Sequence, residues 1–138
     1  MLSKTAQQDL IQLSAQARLK AYAPYSSFKV GATLLCKDGV SFQGCNVENA
    51  SYGLCNCAER TAFFSAVAAG YQTSDFLALA VIADTKEPIS PCGACRQVML
   101  ELGGAELQVI LSNTQGDTLI TNAGALLPGA FQAQDLQR

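Results

Sequence analysis

The sequence predicts an α/β fold: a three-layer α/β/α sandwich in which helices cover both faces of a mixed five-stranded sheet. Three observations favour it. A hairpin pattern opens the sheet, "FLALAVIAD" is a continuous apolar run typical of a strand buried on both faces, and helical patterns separate the later strands. The 138 residues match one ordinary domain and contain no repeat or linker, so we expect a single domain over 1–138.

The first helix should lie in "SKTAQQDLIQLSAQARLKAYA", with Ser3 as its N-cap and Pro24 ending it. Its apolar residues recur at roughly helical spacing: Leu10, Leu13, Ala17 and Tyr22. "KVGATLLCKDGVSFQGCNV" then predicts two strands that are joined by a hairpin turn at Lys37, Asp38 and Gly39.

The later elements follow from local stop signals. "AERTAFFSAVAAG" predicts a helix that Gly70 closes at the C′ position. "PCGACRQVMLELGG" predicts another helix, with Pro91 in its first turn and Gly103 and Gly104 at its end. "ELQVILSN" and "TLITNA" read as strands, and the short "TQGD" turn between them makes the last strand antiparallel.

Composition excludes several classes of function. Apolar residues make up 49% and charged residues only 14%, so we expect other subunits to cover part of the surface. The net charge is -2 and Lys or Arg never cluster, which disfavours nucleic acid and anionic membranes as partners. "MLSKTAQQDL" lacks the apolar core of a signal peptide, and no run is long enough to span a bilayer, so we predict a cytoplasmic protein.

The chain has six cysteines and no histidine. In a reducing compartment such cysteines are metal ligands or buried thiols more often than disulfides. Any zinc site must therefore depend mainly on thiolates, and catalytic Ser-His and Cys-His pairs are excluded. Cys36 and Cys45 lie on predicted strands, where we expect them to be small buried hydrophobic residues.

Three of the cysteines lie at the starts of two predicted helices. Cys57 comes directly before one helix, and Cys92 and Cys95 lie in the first turn of the other. Helix N-termini favour thiolate over thiol, and three protein ligands with one open position describe a catalytic zinc. Glu59 would stand beside that open position as a proton carrier. The net charge of -1 on three thiolates and Zn²⁺ would be offset by Arg60.

Other interpretations of these residues remain open. Cys92 and Cys95 could form a redox pair, although that leaves Cys57 and Glu59 without a task. The run "CNC" also offers Cys55 as a fourth sulfur for a closed structural site. Taken alone, Glu59 could be a helix-start carboxylate favoured by the dipole, and Arg60 a solvated surface charge.

The combination Cys57-Ala58-Glu59 with Pro91-Cys92-Gly93-Ala94-Cys95 matches the zinc deaminase signature, with a cysteine in place of its histidine. Beyond it, the chain resembles the small, all-cysteine cytidine deaminases of free-nucleoside metabolism. The resemblance runs nearly end to end, through "YAPYSSFKVGA", "GCNVENASYG", "CAERTAFF", "SPCGACRQV" and "LLPGAF". It implies one Zn²⁺ per subunit, held by Cys57, Cys92 and Cys95, with Glu59 moving protons.

The resemblance also implies how substrate is held. Asn46 and Glu48 would hydrogen-bond the ribose 3′-hydroxyl, and Phe28 would stack against the pyrimidine. The backbone at Ala58 and Ser90 would read the carbonyl and amino edges of the ring. Without the motif, Asn46 would be a turn residue, Glu48 a loop charge and Phe28 a core residue.

Further residues gain roles by the same resemblance. Tyr52 and Phe131 would enter the active sites of neighbouring subunits in a homotetramer. Arg60 and Gln97 match positions that surround the thiolates. Thr33 departs from the alanine that the family often has there, and Cys55 is an additional thiol near the site; neither touches the chemistry.

The implied function is hydrolytic deamination of cytidine and 2′-deoxycytidine to uridine and 2′-deoxyuridine, with release of ammonia, in pyrimidine salvage. Glu48 would repel a phosphate, and no Lys or Arg occurs between Val40 and Asn56, so a free nucleoside is favoured over a nucleotide. Two alternatives remain. One is an aminonucleoside-antibiotic deaminase with the same zinc core, and the other is a non-catalytic, zinc-stabilised interaction module that leaves Glu59 idle.

Overall fold

A computed structural model describes residues 1–137 of the chain. Four α-helices are present in these residues: α1 (Lys4–Arg18), α2 (Ala58–Ala68), α3 (Gly93–Gly103) and the short α4 (Ala123–Leu126). The strands are β1 (Val30–Cys36), β2 (Ser41–Cys45), β3 (Phe76–Ala83), β4 (Gln108–Asn113) and β5 (Thr118–Asn122). Short 3₁₀ turns occupy Tyr52–Leu54, Thr73–Asp75 and Ala133–Leu136.

The five strands form one mixed sheet in the order β2-β1-β3-β4-β5. β3 and β4 are parallel, with α3 in the connection between them, and the other neighbouring pairs are antiparallel. The predicted hairpin and the antiparallel return of β5 are both present. The N-terminal end of β1 lies beside the C-terminal end of β3, because Val30 pairs with Ala83.

Side chains of β3 alternate between the two faces of the sheet, as the strand period requires. Ala78 and Ala80 pack with Leu10 of α1 on one face. Leu79 and Val81 pack on the other face, in the larger core that contains Phe63 of α2 and Met99 of α3. Helices therefore cover both faces, and the predicted α/β/α sandwich is confirmed.

Two glycines let the helices lie directly on the sheet. A Cβ at Gly31 of β1 would stand 2.0 Å from the Ser14 carbonyl oxygen of α1. A Cβ at Gly44 of β2 would stand 2.3 Å from the Ala58 carbonyl oxygen of α2. The absence of a side chain at Gly44 thus sets how closely the first turn of α2 approaches the sheet.

The first helix is shorter than predicted. Ser3 caps it as expected, with its side chain accepting a hydrogen bond from the Ala6 amide, but the helix ends at Arg18 and not at Pro24. Tyr22 is extended and exposed instead of helical, and forms an isolated bridge with Val47. Its amide donates to the Asn46 carbonyl (3.0 Å) and its carbonyl accepts from the Glu48 amide (2.8 Å), so pairing with this loop replaces further helix.

Smaller expectations also change. Cys92 is the N-cap of α3, so Pro91 precedes the helix and is not in its first turn. Cys36 is buried as predicted, but Cys45 is only half-buried because it lies at the end of the edge strand β2. Within residues 1–137, no helix combines the length and apolar character needed to cross a membrane.

Candidate active site

The site lies where two helices begin at one edge of the sheet. Cys57 is the N-cap of α2, whose first turn rests on Gly44. Cys92 is the N-cap of α3, and its sulfur accepts a hydrogen bond from the Cys95 amide at 3.4 Å. The segment before α3 is tied to the sheet, since the Ile89 amide donates to the Ser112 carbonyl of β4. Free N–H groups and the positive ends of both helices therefore point at the same place.

The three predicted zinc ligands come together there. The Sγ atoms of Cys57, Cys92 and Cys95 all lie within 4.8 Å of one another, and those of Cys57 and Cys92 are 3.8 Å apart. In a tetrahedral site with Zn–S bonds of about 2.3 Å, sulfur atoms lie about 3.8 Å apart. The donor set and its spacing therefore fit zinc, with one coordination position left for a small molecule.

Cys55 lies outside this cluster. Its sulfur accepts a hydrogen bond from the Asn49 amide (3.3 Å) and makes a longer contact of 3.6 Å with the Asn49 carbonyl oxygen. The cysteine group in residues 1–137 that could hold a metal contains three sulfurs and not four. This geometry favours an open site over the closed four-thiolate alternative.

Charge at the sulfurs is distributed unevenly. Cys57 accepts hydrogen bonds from the Cys95 thiol and from Arg60, and these lower the pKa of Cys57 to about 5 against the opposing effect of burial. The pKa of Cys95 is raised, because its thiol donates to Cys57 and is buried. Arg60 Nη2 lies 3.2 Å from Cys57 Sγ, while its Nε is buried with no hydrogen-bond partner within residues 1–137. Arg60 is therefore a cation of the site, and a metal that binds the three sulfurs displaces the proton that Cys95 holds.

Glu59 is buried, with 4% of its surface exposed, yet it lines the cavity beside the sulfurs. Burial raises the pKa of Glu59 to about 7, and negative charge on Cys57 acts in the same direction. A carboxyl group with a pKa near neutrality can both accept and donate a proton at physiological pH. Glu59 is suited to proton transfer.

A cavity of about 230 Å³ opens over this cluster. Eight of the predicted site residues line it: Phe28, Asn46, Glu48, Cys57, Ala58, Glu59, Ser90 and Cys92. Cys95 is buried and does not line it. Ser26, Val30 and Ile89 also line the cavity, and the sequence did not single them out. Ser26 carried the only available signal, as a hydroxyl residue in "YSSF" two positions before Phe28.

Asn46 fixes the wall of the cavity. Its Oδ1 accepts from the Val30 amide at 2.8 Å, and its Nδ2 donates to the Phe28 carbonyl at 2.7 Å. Glu48 has a similar role toward the preceding turn, since its Oε1 accepts from the amides of Tyr25 (3.0 Å) and Ser26 (3.1 Å). The Ser26 hydroxyl donates to Glu48 Oε2, and this bond, followed by the backbone donors, lowers the pKa of Glu48. Glu48 is thus held as a carboxylate.

Three further predicted residues do not line the cavity, although Tyr52 lines a neighbouring one together with Ser26 and Glu48. Tyr52 and Phe131 are 74% and 57% exposed, and neither lines the cavity over the sulfurs. Gln97 Nε2 donates to the Phe131 carbonyl at 2.8 Å, so the hydrogen bond of Gln97 runs to the C-terminal segment. Their predicted roles at a neighbouring site and around the thiolates stay predictions.

Arg96 braces the segment that carries Cys92, which the sequence did not indicate. Its Nε donates to the Pro91 carbonyl and its Nη1 to the Leu126 carbonyl, both at 2.8 Å. Its Nη2 donates to the Ser90 hydroxyl. One planar guanidinium therefore fixes the backbone before α3 against α4.

Comparison with known proteins identifies the family. Residues 4–111 match the family model described as the cytidine and deoxycytidylate deaminase zinc-binding region. The cytidine deaminase of Halalkalibacterium halodurans is 57% identical over 129 residues, which cover 94% of this chain and 96% of that protein. That of Sporosarcina psychrophila is 54% identical over 92% of both chains.

Solved structures agree with this assignment. The crystal structure of cytidine deaminase from Burkholderia pseudomallei superposes with a TM-score of 0.89 at 62% identity, covering 94% of this chain and 100% of that one. The Mycobacterium tuberculosis cytidine deaminase structure gives a TM-score of 0.77 at 41% identity, covering 91% and 96%. The chain therefore belongs to the zinc-binding cytidine and deoxycytidylate deaminase family, and it is a hydrolase.

Proposed function

We propose that this protein deaminates cytidine and 2′-deoxycytidine to uridine and 2′-deoxyuridine, with release of ammonia. The observation that carries the proposal is a single cavity lined by Cys57 and Cys92 of the three-sulfur cluster, by the buried carboxyl group of Glu59, and by Asn46 and Glu48. One side of the cavity can perform hydrolysis and the other can hold a sugar. The names of the close relatives support the substrate class.

Cys57, Cys92 and Cys95 would hold the zinc, which when bound supplies a Lewis acid that activates water for attack at a ring carbon. Glu59 would take the proton from that water and deliver it to ring N3, which makes C4 more electrophilic. The remaining hydroxyl would add to C4, and Glu59 would then take its proton and pass it to the exocyclic amine, so that the C4–N bond breaks, ammonia leaves and C4 becomes a carbonyl. One carboxyl group acts as base and acid in turn, which its pKa of about 7 suits.

The rest of the cavity would orient the nucleoside. Phe28 would stack against the pyrimidine, and the backbone at Ala58 and Ser90 would read the carbonyl and amino edges of the ring. Asn46 and Glu48 would hydrogen-bond the sugar 3′-hydroxyl, each with acceptor capacity left after its own backbone contacts.

Charge supports a free nucleoside over a nucleotide. Glu48 is held as a carboxylate in the cavity wall, and none of the described residues that line the cavity is Lys or Arg. A phosphate on the sugar would meet an anion and find no cation to pair with.

Assembly is part of the proposal. We place Tyr52 and Phe131 in the sites of neighbouring subunits of a homotetramer, because both aromatic rings are exposed and 14% charged residues leave apolar surface to cover. Phe64 and Val67 of α2 add to that surface at 47% and 46% exposure. Mixing inactive Glu59→Ala chains with Phe131→Ala chains should restore part of the activity. A mixed oligomer no more active than the sum of its parts would refute shared sites.

The fall in ultraviolet absorbance on deamination tests the activity. We expect turnover of cytidine and 2′-deoxycytidine, loss of turnover after chelation, and recovery with zinc. Glu59→Ala should bind zinc normally and lose at least about 10²-fold in activity. Turnover of an aminonucleoside antibiotic in place of cytidine would favour that alternative, and a zinc-loaded protein inert toward both would be an interaction module.

A further inference from the structure

Ser26 connects two residues of the cavity wall that the proposed function assigns to substrate. Its hydroxyl donates to Glu48 Oε2 and accepts a hydrogen bond from the Phe28 amide at 3.0 Å. Ser26 itself lines the cavity. One hydroxyl group thus contacts the sugar side and the ring side of the site.

The hydrogen-bond donors around Glu48 leave one lone pair of its carboxylate free. A carboxylate offers about four lone pairs. Oε1 accepts from the amides of Tyr25 and Ser26, and Oε2 accepts from the Ser26 hydroxyl. One lone pair on Oε2 therefore remains for a donor from the cavity, and the Ser26 hydroxyl determines which way it faces.

Phe28 is held by the same arrangement. Its amide is bonded to Ser26 Oγ and its carbonyl accepts from Asn46 Nδ2 at 2.7 Å. Ser27, between Ser26 and Phe28, has a positive φ of 58°, a region that non-glycine residues rarely adopt. The turn that presents Phe28 thus depends on hydrogen bonds made by side chains.

We propose that Ser26 is a positioning residue that aligns Glu48 Oε2 for the 3′-hydroxyl of the substrate sugar and so sets affinity for nucleosides that carry this hydroxyl. The proposal rests on the proposed function. Without the hydroxyl, Glu48 keeps its two backbone donors on Oε1, but its carboxylate can rotate and Oε2 loses its alignment. Within residues 1–137, the Ser26 hydroxyl bonds to Glu48 and to the Phe28 amide and to neither the sulfurs nor Glu59, so it acts on binding and not on proton transfer.

Steady-state kinetics of Ser26→Ala on cytidine and on 3′-deoxycytidine test this. A hydrogen bond to a charged group predicts about a tenfold rise in KM for cytidine, with kcat nearly unchanged. With 3′-deoxycytidine the rise in KM should be less than about twofold, because this nucleoside lacks the 3′-hydroxyl that would donate to Glu48 Oε2.

Three further variants serve as comparisons and controls. Ser26→Thr keeps the hydroxyl and should restore KM. Glu48→Gln should show the same dependence on the 3′-hydroxyl. Ser74→Ala, an exposed serine in the turn before β3, is the matched control and should change nothing. Melting temperature and zinc per chain are measured for each, and Ser26→Gly replaces Ser26→Ala if the latter does not fold.

The outcomes separate the two proposals. If the wild-type protein does not deaminate cytidine, the proposed function fails, and the inference fails with it. If the wild type is active but Ser26→Ala loses equally on both nucleosides, loses nothing, or is not restored by threonine, Ser26 merely shapes the turn and the inference alone is wrong.

Discussion

Gly44→Ala should disable the enzyme from a position outside the cavity lining. The added Cβ would stand 2.3 Å from the Ala58 carbonyl oxygen, 2.6 Å from the Ala62 amide nitrogen and 3.1 Å from the Ala62 Cβ. Two of these atoms belong to the backbone of α2 and cannot rotate away. Relief therefore requires α2, with Cys57 and Glu59 at its start, to move off the sheet.

The size of the effect follows from these distances. The van der Waals contact distance between non-bonded heavy atoms is about 3.5–4.0 Å, so α2 must shift by about 1 Å. Overpacking of this kind costs about 1–3 kcal/mol, and we expect the upper end, or a decrease in Tm of roughly 10 °C. A 1 Å misplacement of catalytic groups can cost about 10²-fold in rate, so kcat should fall by about that factor in protein that remains folded.

Gly31→Ala is the matched comparison. Its Cβ would meet the Ser14 carbonyl oxygen at 2.0 Å and the Arg18 amide nitrogen at 2.5 Å, so it displaces α1 on the opposite face of the sheet. Both variants should melt early, but only Gly44→Ala should lose zinc affinity and kcat when assayed well below its Tm. Equal kcat values per folded chain would refute the claim that contact between α2 and β2 positions the catalytic groups.

Three further predictions concern charge and metal. Cys57→Ala should reduce bound zinc and Tm, whereas Cys55→Ser should keep zinc and activity; loss of metal in Cys55→Ser would restore the closed four-thiolate site. Arg60→Gln should keep zinc and lose about 10–100-fold in kcat/KM, and unchanged kinetics would make Arg60 an ordinary surface charge. The hydroxyl of Tyr71 donates to Asp38 at 2.7 Å, which raises the pKa of Tyr71 from 10.0 to about 12. The pKa of Tyr71 is higher in the folded than in the unfolded protein, so the stabilisation by this hydrogen bond is complete below pH 10 and is lost toward pH 12. The difference in Tm between wild type and Tyr71→Phe should therefore disappear across that range. A Tm difference that stays constant would contradict the prediction.

The parts of the fold that were predictable are those encoded over a few residues. A glycine at C′ ends α2, an apolar run makes β3, and cysteines at the N-caps of α2 and α3 mark where two helices begin. Because helix starts that follow strands meet at one edge of a sheet, the sequence alone indicates that three sulfurs separated by up to 38 positions, from Cys57 to Cys95, lie together.

What the sequence did not reveal depends on contacts between distant segments. The end of α1 was wrongly placed at Pro24, because the pairing of Tyr22 with Val47 is a tertiary contact that no local propensity reports. Ser26 and Glu48 lie 22 positions apart and are ordinary surface residue types. Arg96 likewise gave no sign that it reaches Leu126. Side chains that hold backbone segments become recognisable only once the fold brings those segments together.

The two glutamates of the cavity have the same side chain, but their surroundings shift their pKa values in opposite directions. Glu59 is buried beside Cys57, and burial raises its pKa to about 7, so its proton can move. Glu48 receives three hydrogen bonds from residues 25 and 26, and these lower its pKa, so it stays an acceptor at every physiological pH. A proton carrier must be able to change charge during the reaction, and a group that holds a sugar hydroxyl must not. In the proposed function, the hydroxyl of Ser26 and the burial of Glu59 would therefore separate binding from catalysis within a cavity of about 230 Å³.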